Sequence, residues 1–299
     1  MKITRPEFIQ KLLRAPRRFE GGLIANALGF HLIRIAWFEL MFALRGKIVS
    51  KDARVQQAAE TVMRDGIAVI HDFFPPEVFS SIKAEVDRFK LDVFNERAPR
   101  LIRTAFVAEG RPTTSALLEM YFAKNAFING VASVVLRKKH LITPTVHVEK
   151  GWYTEEDLGK ESTDKADNLH FDVSYTTMKS FMYLNDVDAK NAAFTYTKGS
   201  QKMTLARLWM EYKMSVKFWF WDKKSRDTIT PEVDHAFLAP HGLALQPIEG
   251  KANTLIIVNT QGFHCRGKYQ TTTPREMVLM SYREIDGLKF FIQSLLKKK

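Results

Sequence analysis

The second half of the chain alternates between short apolar runs and clusters of turn residues. The runs are rich in β-branched and aromatic residues, and they cover positions 143–148, 170–175, 179–184, 193–197, 254–259 and 276–282. Many short strands at this spacing are typical of a jelly roll or barrel rather than of alternating βαβ units. The pattern therefore predicts a mainly β domain.

Helical patterns occupy the first part of the chain and interrupt the strands once. The predicted helices cover residues 51–63, 77–95, 114–136 (two patterns) and 204–221, and a short buried strand is predicted at 66–70. The last helix is rich in Trp, Phe and Met. The predicted organisation is a helical, basic extension over 1–62, a β domain over 63–288 with a helical insertion at about 204–222, and a basic tail over 289–299.

The apolar stretch at residues 23–44 is long enough to suggest a membrane span, but Arg34 and Glu39 lie near its centre. Its Leu, Ile and Phe residues gain roughly 3–7 kcal/mol on insertion, whereas two central charges cost about 5–7 kcal/mol. A span is therefore disfavoured. His31, Arg34 and Glu39 share one helical face, which leaves two interpretations. The helix lies on a membrane surface, or it packs onto the domain or across a dimer interface.

The positive charge is concentrated at the two ends of the chain. Residues 1–51 carry ten Lys and Arg against three Glu, and residues 289–299 carry four Lys, while the whole chain has a net charge of +12. The middle is thus nearly neutral, unlike a nucleic-acid-binding domain, so no nucleic-acid partner is expected. Basic ends beside apolar stretches indicate an anionic phospholipid surface instead.

Cysteine content and the amino-terminal residues bear on the compartment. Cys265 is the only cysteine, which excludes an internal disulfide framework and a Cys-rich zinc site. Residues 1–20 carry six Lys and Arg and no apolar core of a signal peptide. We therefore expect a cytoplasmic protein that could associate with the inner face of a membrane. The sequence does not indicate an oligomeric state.

The motif His170-Phe171-Asp172 is the first candidate for chemistry. In an extended strand, residues two apart point the same way, so the imidazole and the carboxylate would face one interior. With one further histidine they would form the facial triad of a non-haem iron site. His264, which follows the buried run 254–259, is the candidate third ligand, and Arg275 lies eleven residues beyond it.

This ordered set resembles the phytanoyl-CoA dioxygenase-like family of Fe(II)/2-oxoglutarate oxygenases. The resemblance runs from about residue 65 to 284, and it includes Lys150 and the segment from Leu184-Asn185-Asp186-Val187 to Gly199-Ser200-Gln201-Lys202, which has Ala192 and Gln201 where the family usually has Gly and His. It implies a double-stranded β-helix, a cupin-like jelly roll, with flanking helices and an amino-terminal helical extension. The cofactors that it implies are Fe(II) and the cosubstrates 2-oxoglutarate and O2.

The resemblance assigns a role to each candidate residue. His170, Asp172 and His264 would bind Fe(II), and Arg275 would bind the distal carboxylate of 2-oxoglutarate, for which a planar guanidinium is suited. Arg266 is the rival for that role. Further candidates are Thr145 and His147 for 2-oxoglutarate, and Tyr175, Trp152 and Arg266 for the substrate pocket.

The resemblance implies hydroxylation rather than halogenation, because halogenases similar to this family have a small residue in place of Asp172. The predicted function is therefore oxidation of a small-molecule or lipid-like substrate with conversion of 2-oxoglutarate to succinate. Two alternatives stay open at this point. One is a catalytically silent, membrane-peripheral binding protein on an oxygenase fold, and the other is a cupin-type metalloenzyme that does not use 2-oxoglutarate.

Overall fold

The computed structural model describes residues 19, 21–108, 112–139, 141, 143–162, 164–220 and 231–282. The predicted basic tail at 289–299 and most of residues 1–20 lie outside the described residues. The described strands are β1 (Ile67–Ile70), β2 (Val93–Asn95), β3 (Arg100–Val107), β4 (Thr145–Trp152), β5 (Met178–Tyr183), β6 (Phe194–Thr197), β7 (Leu245–Ile248), β8 (Leu255–Val258), β9 (His264–Arg266) and β10 (Arg275–Tyr282).

The strands form two antiparallel sheets that face each other. The larger sheet has the order β1-β8-β5-β10-β4-β3-β2, and the smaller has the order β7-β6-β9. His170 adds a bridge to His264 at the free edge of β9. From β4 to β10 the chain passes back and forth between the sheets, which is the winding of a double-stranded β-helix. The predicted mainly β jelly-roll fold with flanking helices is confirmed.

Helices cover the side of the larger sheet that points away from the smaller sheet. The described helices are α1 (Leu23–Ala27), α2 (Phe30–Leu44), α3 (Ala53–Asp65), α4 (Pro76–Arg88), α5 (Ala116–Leu118), α6 (Ala126–Leu136) and α7 (Leu205–Lys217). The apolar residues of α3, α4 and α6 pack against the even-numbered positions of β4, such as Val146 and Val148, in the largest buried cluster. The odd-numbered positions of β4 therefore face the space between the two sheets.

The junction between α3 and β1 fixes the start of the β domain. The Asp52 side chain accepts hydrogen bonds from the backbone N–H groups of Arg54 and Val55 at 2.9 and 3.2 Å, which caps the first turn of α3. Gly66 ends the helix with a left-handed φ of 85°. A Cβ there would lie 2.2 Å from the Tyr196 hydroxyl, so both the conformation and the space require glycine.

Three features differ from the pattern-based expectations. The helix expected over 77–95 ends at Arg88, because residues 93–95 pair with β3 as a strand. The expected strand at 170–175 is irregular: the backbone N–H groups of His170 and Asp172 donate to the carbonyls of His264 and Thr260. A step of two residues, from His170 to Asp172, thus lies opposite a step of four residues, from His264 to Thr260, and this mismatch interrupts the regular strand pairing. Strands β2, β3, β7 and β9 were not expected.

The apolar segment at 23–44 forms two helices, α1 and α2, which break at Gly29 and pack onto the domain. Their polar residues face inward: Asn26 Nδ2 donates to the Ser215 carbonyl at 3.3 Å, and His31 Nε2 lies 3.2 Å from Glu211 Oε2. Within the described part of the chain, no helix has the length and apolar character needed to cross a bilayer. Packing onto the domain is confirmed, and contact with a membrane surface stays a prediction.

Helix α7, in the insertion, carries a buried ion pair that contacts the two segments around Phe171 and Phe263. Arg207 Nε donates to Glu211 Oε1 at 2.9 Å, and Arg207 Nη2 donates to the Gln261 carbonyl at 2.7 Å. The guanidinium carbon lies 5.0 and 4.7 Å from the ring centres of Phe171 and Phe263. Since these rings precede Asp172 and His264, Arg207 holds the two distant segments of the candidate site against one another.

Candidate metal centre

The structure brings His170, Asp172 and His264 together. Each offers one ligand atom, and these atoms lie within 4.8 Å of one another. Two imidazole nitrogens and one carboxylate oxygen at this separation can bind one divalent ion and leave the opposite coordination positions open. Among the described residues this is the group of His, Cys, Asp and Glu side chains that could hold a metal ion.

Main-chain hydrogen bonds hold the two histidines in place before any ion binds. The His170 N–H donates to the His264 carbonyl at 2.9 Å, and the His264 N–H donates to the His170 carbonyl at 2.8 Å. Asp172 is anchored in turn by its own N–H, which donates to the Thr260 carbonyl at 3.0 Å. The positions of all three ligands are therefore set by backbone pairing between segments that are far apart in sequence.

Both imidazoles present Nε2 to the site. His170 Nδ1 lies 2.6 Å from the Asn168 carbonyl and His264 Nδ1 lies 2.8 Å from the Gly262 carbonyl, so Nδ1 carries the proton in each ring. Burial lowers the pKa of His170, and burial together with His170 lowers the pKa of His264 to about 3. Neutral rings at pH 7 are the form in which histidine binds metal.

A cavity of about 110 Å³ opens from the metal ligands between the two sheets. Its apolar lining comes from Phe181, Phe194, Met277 and Leu279, while its charged lining comes from Arg103, Glu149, Lys179, Arg266 and Arg275. Lys179 Nζ lies 2.7 Å from Asp172 Oδ2, so one cation of the cavity already contacts a metal ligand. The cavity thus combines a metal-binding end with a strongly charged wall.

Glu149, at the centre of β4, organises the charged wall. It is almost fully buried, and it accepts hydrogen bonds from Arg103 Nε at 2.8 Å and from Arg275 Nη2 at 3.1 Å. Burial alone would raise the pKa of Glu149, but Arg103, Arg266 and Arg275 lower it to about 2. The carboxylate is therefore ionised at neutral pH and holds the Arg275 guanidinium at the cavity wall.

We expect the protein to lose stability as the pH falls from about 4.5 to about 2. Glu149 and Glu211 both have pKa values of about 2 in the folded protein, against about 4.3 when unfolded. Between these values the unfolded state binds more protons, so the stability that the two carboxylates contribute above about pH 4.3 is lost on acidification. Urea midpoints measured from about pH 7 to about pH 3 test this, and a constant midpoint would contradict it.

Two arginines of the wall keep N–H groups without an acceptor. Arg266 pairs with Asp164 at 2.9 Å and with Asp167 at 3.3 Å, and Arg275 Nη1 donates to the Ala192 carbonyl at 2.7 Å. Nevertheless Arg266 Nε and Arg275 Nε are buried and have no hydrogen-bond partner among the described residues. Buried donors left unsatisfied are costly, so these two N–H groups are suited to an oxygen acceptor such as a ligand carboxylate.

The other predicted site residues lie around the cavity rather than in its lining. Thr145 and His147 share the inward face of β4 with Glu149, nearer the start of the strand, and burial lowers the pKa of His147. Trp152, at the end of β4, lies on the opposite face of the strand. Tyr175 packs against Phe38 of α2, with the two ring centres 5.2 Å apart. Their assigned roles remain predictions, whereas Arg266 and Arg275 both line the cavity.

Three charged residues of the cavity were missed by sequence reasoning: Arg103, Glu149 and Lys179. Glu149 and Arg103 come from neighbouring strands and face each other in register, but β3 was not expected at all. The available signal was alternation, since Thr145 and His147 are two residues apart in the predicted strand 143–148, and Glu149 follows two residues later, just beyond its predicted end. Such alternation is typical of a solvent-exposed strand face, and it gave no reason to expect burial.

Comparison with known proteins gives structural neighbours only. No family model and no curated protein matches the chain. Among solved structures, the non-haem α-ketoglutarate-dependent epimerase SnoN of nogalamycin biosynthesis is 14% identical, with a TM-score of 0.49 over 78% of this chain and 83% of that one. HygX from Streptomyces hygroscopicus, with nickel, 2-oxoglutarate and hygromycin B bound, is 15% identical, with a TM-score of 0.48 over 76% and 86%.

A prolyl-4-hydroxylase from Pseudomonas putida is also similar. It is 12% identical, with a TM-score of 0.44 over 77% of this chain and 98% of that one. At these scores the likeness is one of general architecture. The assignment of the jelly roll therefore rests on the strand order of the chain itself, and the predicted relation to the phytanoyl-CoA dioxygenase-like family stays a prediction.

Proposed function

We propose that the protein is an Fe(II)- and 2-oxoglutarate-dependent oxygenase. The observation that carries the proposal is the convergence of His170, Asp172 and His264 at the end of a cavity whose wall holds Arg266 and Arg275. Two histidines and one carboxylate with open positions are the ligand set of non-haem Fe(II) oxygenases. When bound, iron and 2-oxoglutarate supply the oxidising chemistry, in which 2-oxoglutarate and O2 yield succinate and CO2.

The charged wall fits a dicarboxylate. The buried Nε–H groups of Arg266 and Arg275 lack acceptors among the described residues, and a carboxylate oxygen would satisfy them. The cavity region is also balanced in charge, with Arg103, Lys179, Arg266 and Arg275 against Glu149, Asp164, Asp167 and Asp172. A divalent cation and a divalent anion bound together would leave this balance unchanged, which avoids the cost of an uncompensated buried charge.

The residues of this chain would bind, orient and exclude water. Glu149 holds the Arg275 guanidinium by a hydrogen bond of 3.1 Å and thereby orients it toward a cosubstrate carboxylate. Phe181, Phe194, Met277 and Leu279 form the apolar part of the lining and keep bulk water away from the reacting atoms. The Asn168 and Gly262 carbonyls keep the proton of each imidazole on Nδ1, so that Nε2 stays available to the metal.

Hydroxylation is the reaction that we propose. Halogenases similar to the phytanoyl-CoA dioxygenase-like family have a small residue in place of Asp172, so a carboxylate among the candidate ligands favours hydroxylation over halogenation. The aromatic and aliphatic part of the lining favours a small-molecule or lipid-like substrate. A cupin-type enzyme without 2-oxoglutarate would not use the Nε–H groups of Arg266 and Arg275, which lack acceptors among the described residues, and the assay below separates the two.

The direct test is formation of succinate from 2-oxoglutarate by the purified protein in air with added Fe(II). Slow uncoupled turnover without substrate is expected, together with the visible charge-transfer band of a ferrous 2-oxoglutarate complex under anaerobic conditions. Binding of Fe(II) without any effect of 2-oxoglutarate would favour the cupin-type alternative. Absence of stoichiometric Fe(II) binding would favour a catalytically silent protein.

Arg275→Met is expected to weaken 2-oxoglutarate binding by about tenfold to a hundredfold, because a charge-assisted pair of hydrogen bonds to a carboxylate is lost. Arg266→Met is expected to have a smaller effect, since that guanidinium is already held by Asp164 and Asp167. Anaerobic titration of the charge-transfer band with 2-oxoglutarate measures both. Arg97→Met, at an exposed arginine, is the matched control, and the reverse ranking of the two variants would assign the carboxylate to Arg266.

A further inference from the structure

The solvent-facing side of α2 is apolar along the whole helix. Its exposed residues are Ile33, Ala36, Leu40, Ala43 and Leu44, and none of them is polar. Ile33 is 57% exposed, and Leu40 and Leu44 are 50% and 60% exposed. An ordinary surface helix presents its polar face to water, so the orientation of α2 is the reverse of the usual one.

Inward contacts prevent α2 from turning this side into the core. His31 and Arg34 are fully buried, His31 contacts Glu211, and Gln261 Nε2 donates to Glu39 Oε1 at 3.5 Å. Rotation of the helix would break these contacts and would leave the buried Glu211 with fewer partners, which costs more than exposure of a few aliphatic side chains. The apolar side is therefore a fixed feature of the surface.

The apolar surface continues onto α1 and α7. Ile24 and Leu28 are 77% and 81% exposed, and the Tyr212 hydroxyl of α7 donates to the Ala27 carbonyl at 2.8 Å. Trp209 of α7, 59% exposed, stacks on Tyr212 with ring centres 5.3 Å apart. We call this surface the outer face, defined by Ile24, Leu28, Ile33, Leu40, Leu44 and Trp209. A contiguous apolar surface of this kind marks an interaction site.

Basic residues lie beside the outer face. Lys47 follows α2, Lys213 lies 5.8 Å from the ring centre of Trp209, and Lys217 ends α7, all three exposed. Apolar and indole side chains rimmed by lysines are the composition of segments that lie in the interface of an anionic bilayer.

We propose that the outer face docks onto an anionic phospholipid surface. The apolar side chains enter the boundary between head groups and acyl chains, while the lysines contact lipid phosphates and carboxylates. A second copy of the chain is a poorer occupant, because a two-fold contact through this face would bring the exposed Lys47, Lys213 and Lys217 of one copy close to those of the other. The proposal does not depend on the chemistry at the metal centre.

Co-sedimentation of the full-length protein with vesicles tests the proposal. We expect binding to phosphatidylcholine vesicles that contain phosphatidylglycerol, and at least about tenfold weaker binding to phosphatidylcholine alone or in about 0.5 M NaCl, where charges are screened. The double variant Ile33→Glu/Leu40→Glu is expected to lower the partition coefficient on the anionic vesicles by at least about tenfold, since it places two charges in the interface.

Met120→Glu is the matched control, because Met120 is 53% exposed and lies outside the outer face. It should bind vesicles like the unaltered protein, and all variants should show unchanged urea midpoints. Equal binding by the double variant overturns the proposal. Failure of the unaltered protein to bind vesicles also overturns it. If the unaltered protein is then a dimer that the double variant converts to monomers, the outer face is assigned to a second copy. If the unaltered protein is a monomer, the outer face is assigned to another segment of the chain.

Discussion

Asp172→Ala is expected to abolish Fe(II)-dependent formation of succinate and to lower the affinity for Fe(II) by more than about a hundredfold. Loss of an outer partner of a metal ligand costs about 10–100-fold, so loss of one of three direct ligands should cost more. In addition, the carboxylate supplies negative charge that offsets the ion, and without it the positive charge of Lys179, 2.7 Å from Asp172 Oδ2, would repel the ion more strongly.

The affinity is measured by anaerobic Fe(II) titration, separately from turnover. Asp172→Asn retains the volume of the side chain and should lose affinity to a similar extent, which separates a ligand effect from a packing effect. Asp92→Ala, at an exposed carboxylate that does not line the cavity, is the control. If either Asp172 variant bound Fe(II) as tightly as the unaltered protein, the assigned metal centre would be wrong.

Glu211→Ala is expected to lower the free energy of unfolding by about 3–5 kcal/mol. Glu211 accepts hydrogen bonds from Arg207 at 2.9 Å and from the Ser174 hydroxyl at 2.6 Å, and it is fully buried. Removal of the carboxylate leaves the Arg207 charge buried without its counter-ion, which is the case in which breaking a buried pair is most destabilising. Since Arg207 also lies between Phe171 and Phe263, weaker Fe(II) binding should accompany the loss.

Urea unfolding of the metal-free protein measures the first effect, and Fe(II) titration measures the second. Glu156→Ala, at an exposed glutamate, should change the stability by less than about 0.5 kcal/mol. A stability of Glu211→Ala within that margin would show that Arg207 is held by its carbonyl partners alone. The Fe(II) affinity would then be expected to stay unchanged as well.

The fold and the ligand set were predictable because both leave local signals. Short β runs separated by turns predict the jelly roll, the H-x-D motif marks His170 and Asp172, and the resemblance to the phytanoyl-CoA dioxygenase-like family implies His264 as the third ligand. The geometry behind H-x-D differed from the expected strand, however. The ligands converge because Asp172 and His170 bond to Thr260 and His264 across an irregular pairing, which a strict period of two does not describe.

What the sequence concealed depends on long-range partners. Arg103 and Arg100 make β3 resemble a polar segment, and only the position of Glu149 opposite Arg103 explains a buried charge there. In α2 the polar residues face inward because Glu211 and Gln261, which lie far away in sequence, accept and donate the matching hydrogen bonds. Periodicity locates such a polar stripe, but it cannot tell whether water or a buried carboxylate faces it.

The reciprocal backbone pairing of His170 with His264 has a consequence for how this architecture can diversify. Nearly a third of the chain lies between the two residues, yet their spacing is set by a pair of hydrogen bonds of 2.9 and 2.8 Å rather than by that intervening length. Lengthening a closed loop twofold costs only about 0.6 kcal/mol. Strands β5 to β8 lie in that segment and must be kept, but the long connection between β6 and β7 can gain or lose residues, apart from the Arg207 contact. Descendants of this chain can therefore remodel that connection and inherit the same reactive centre for a different molecule.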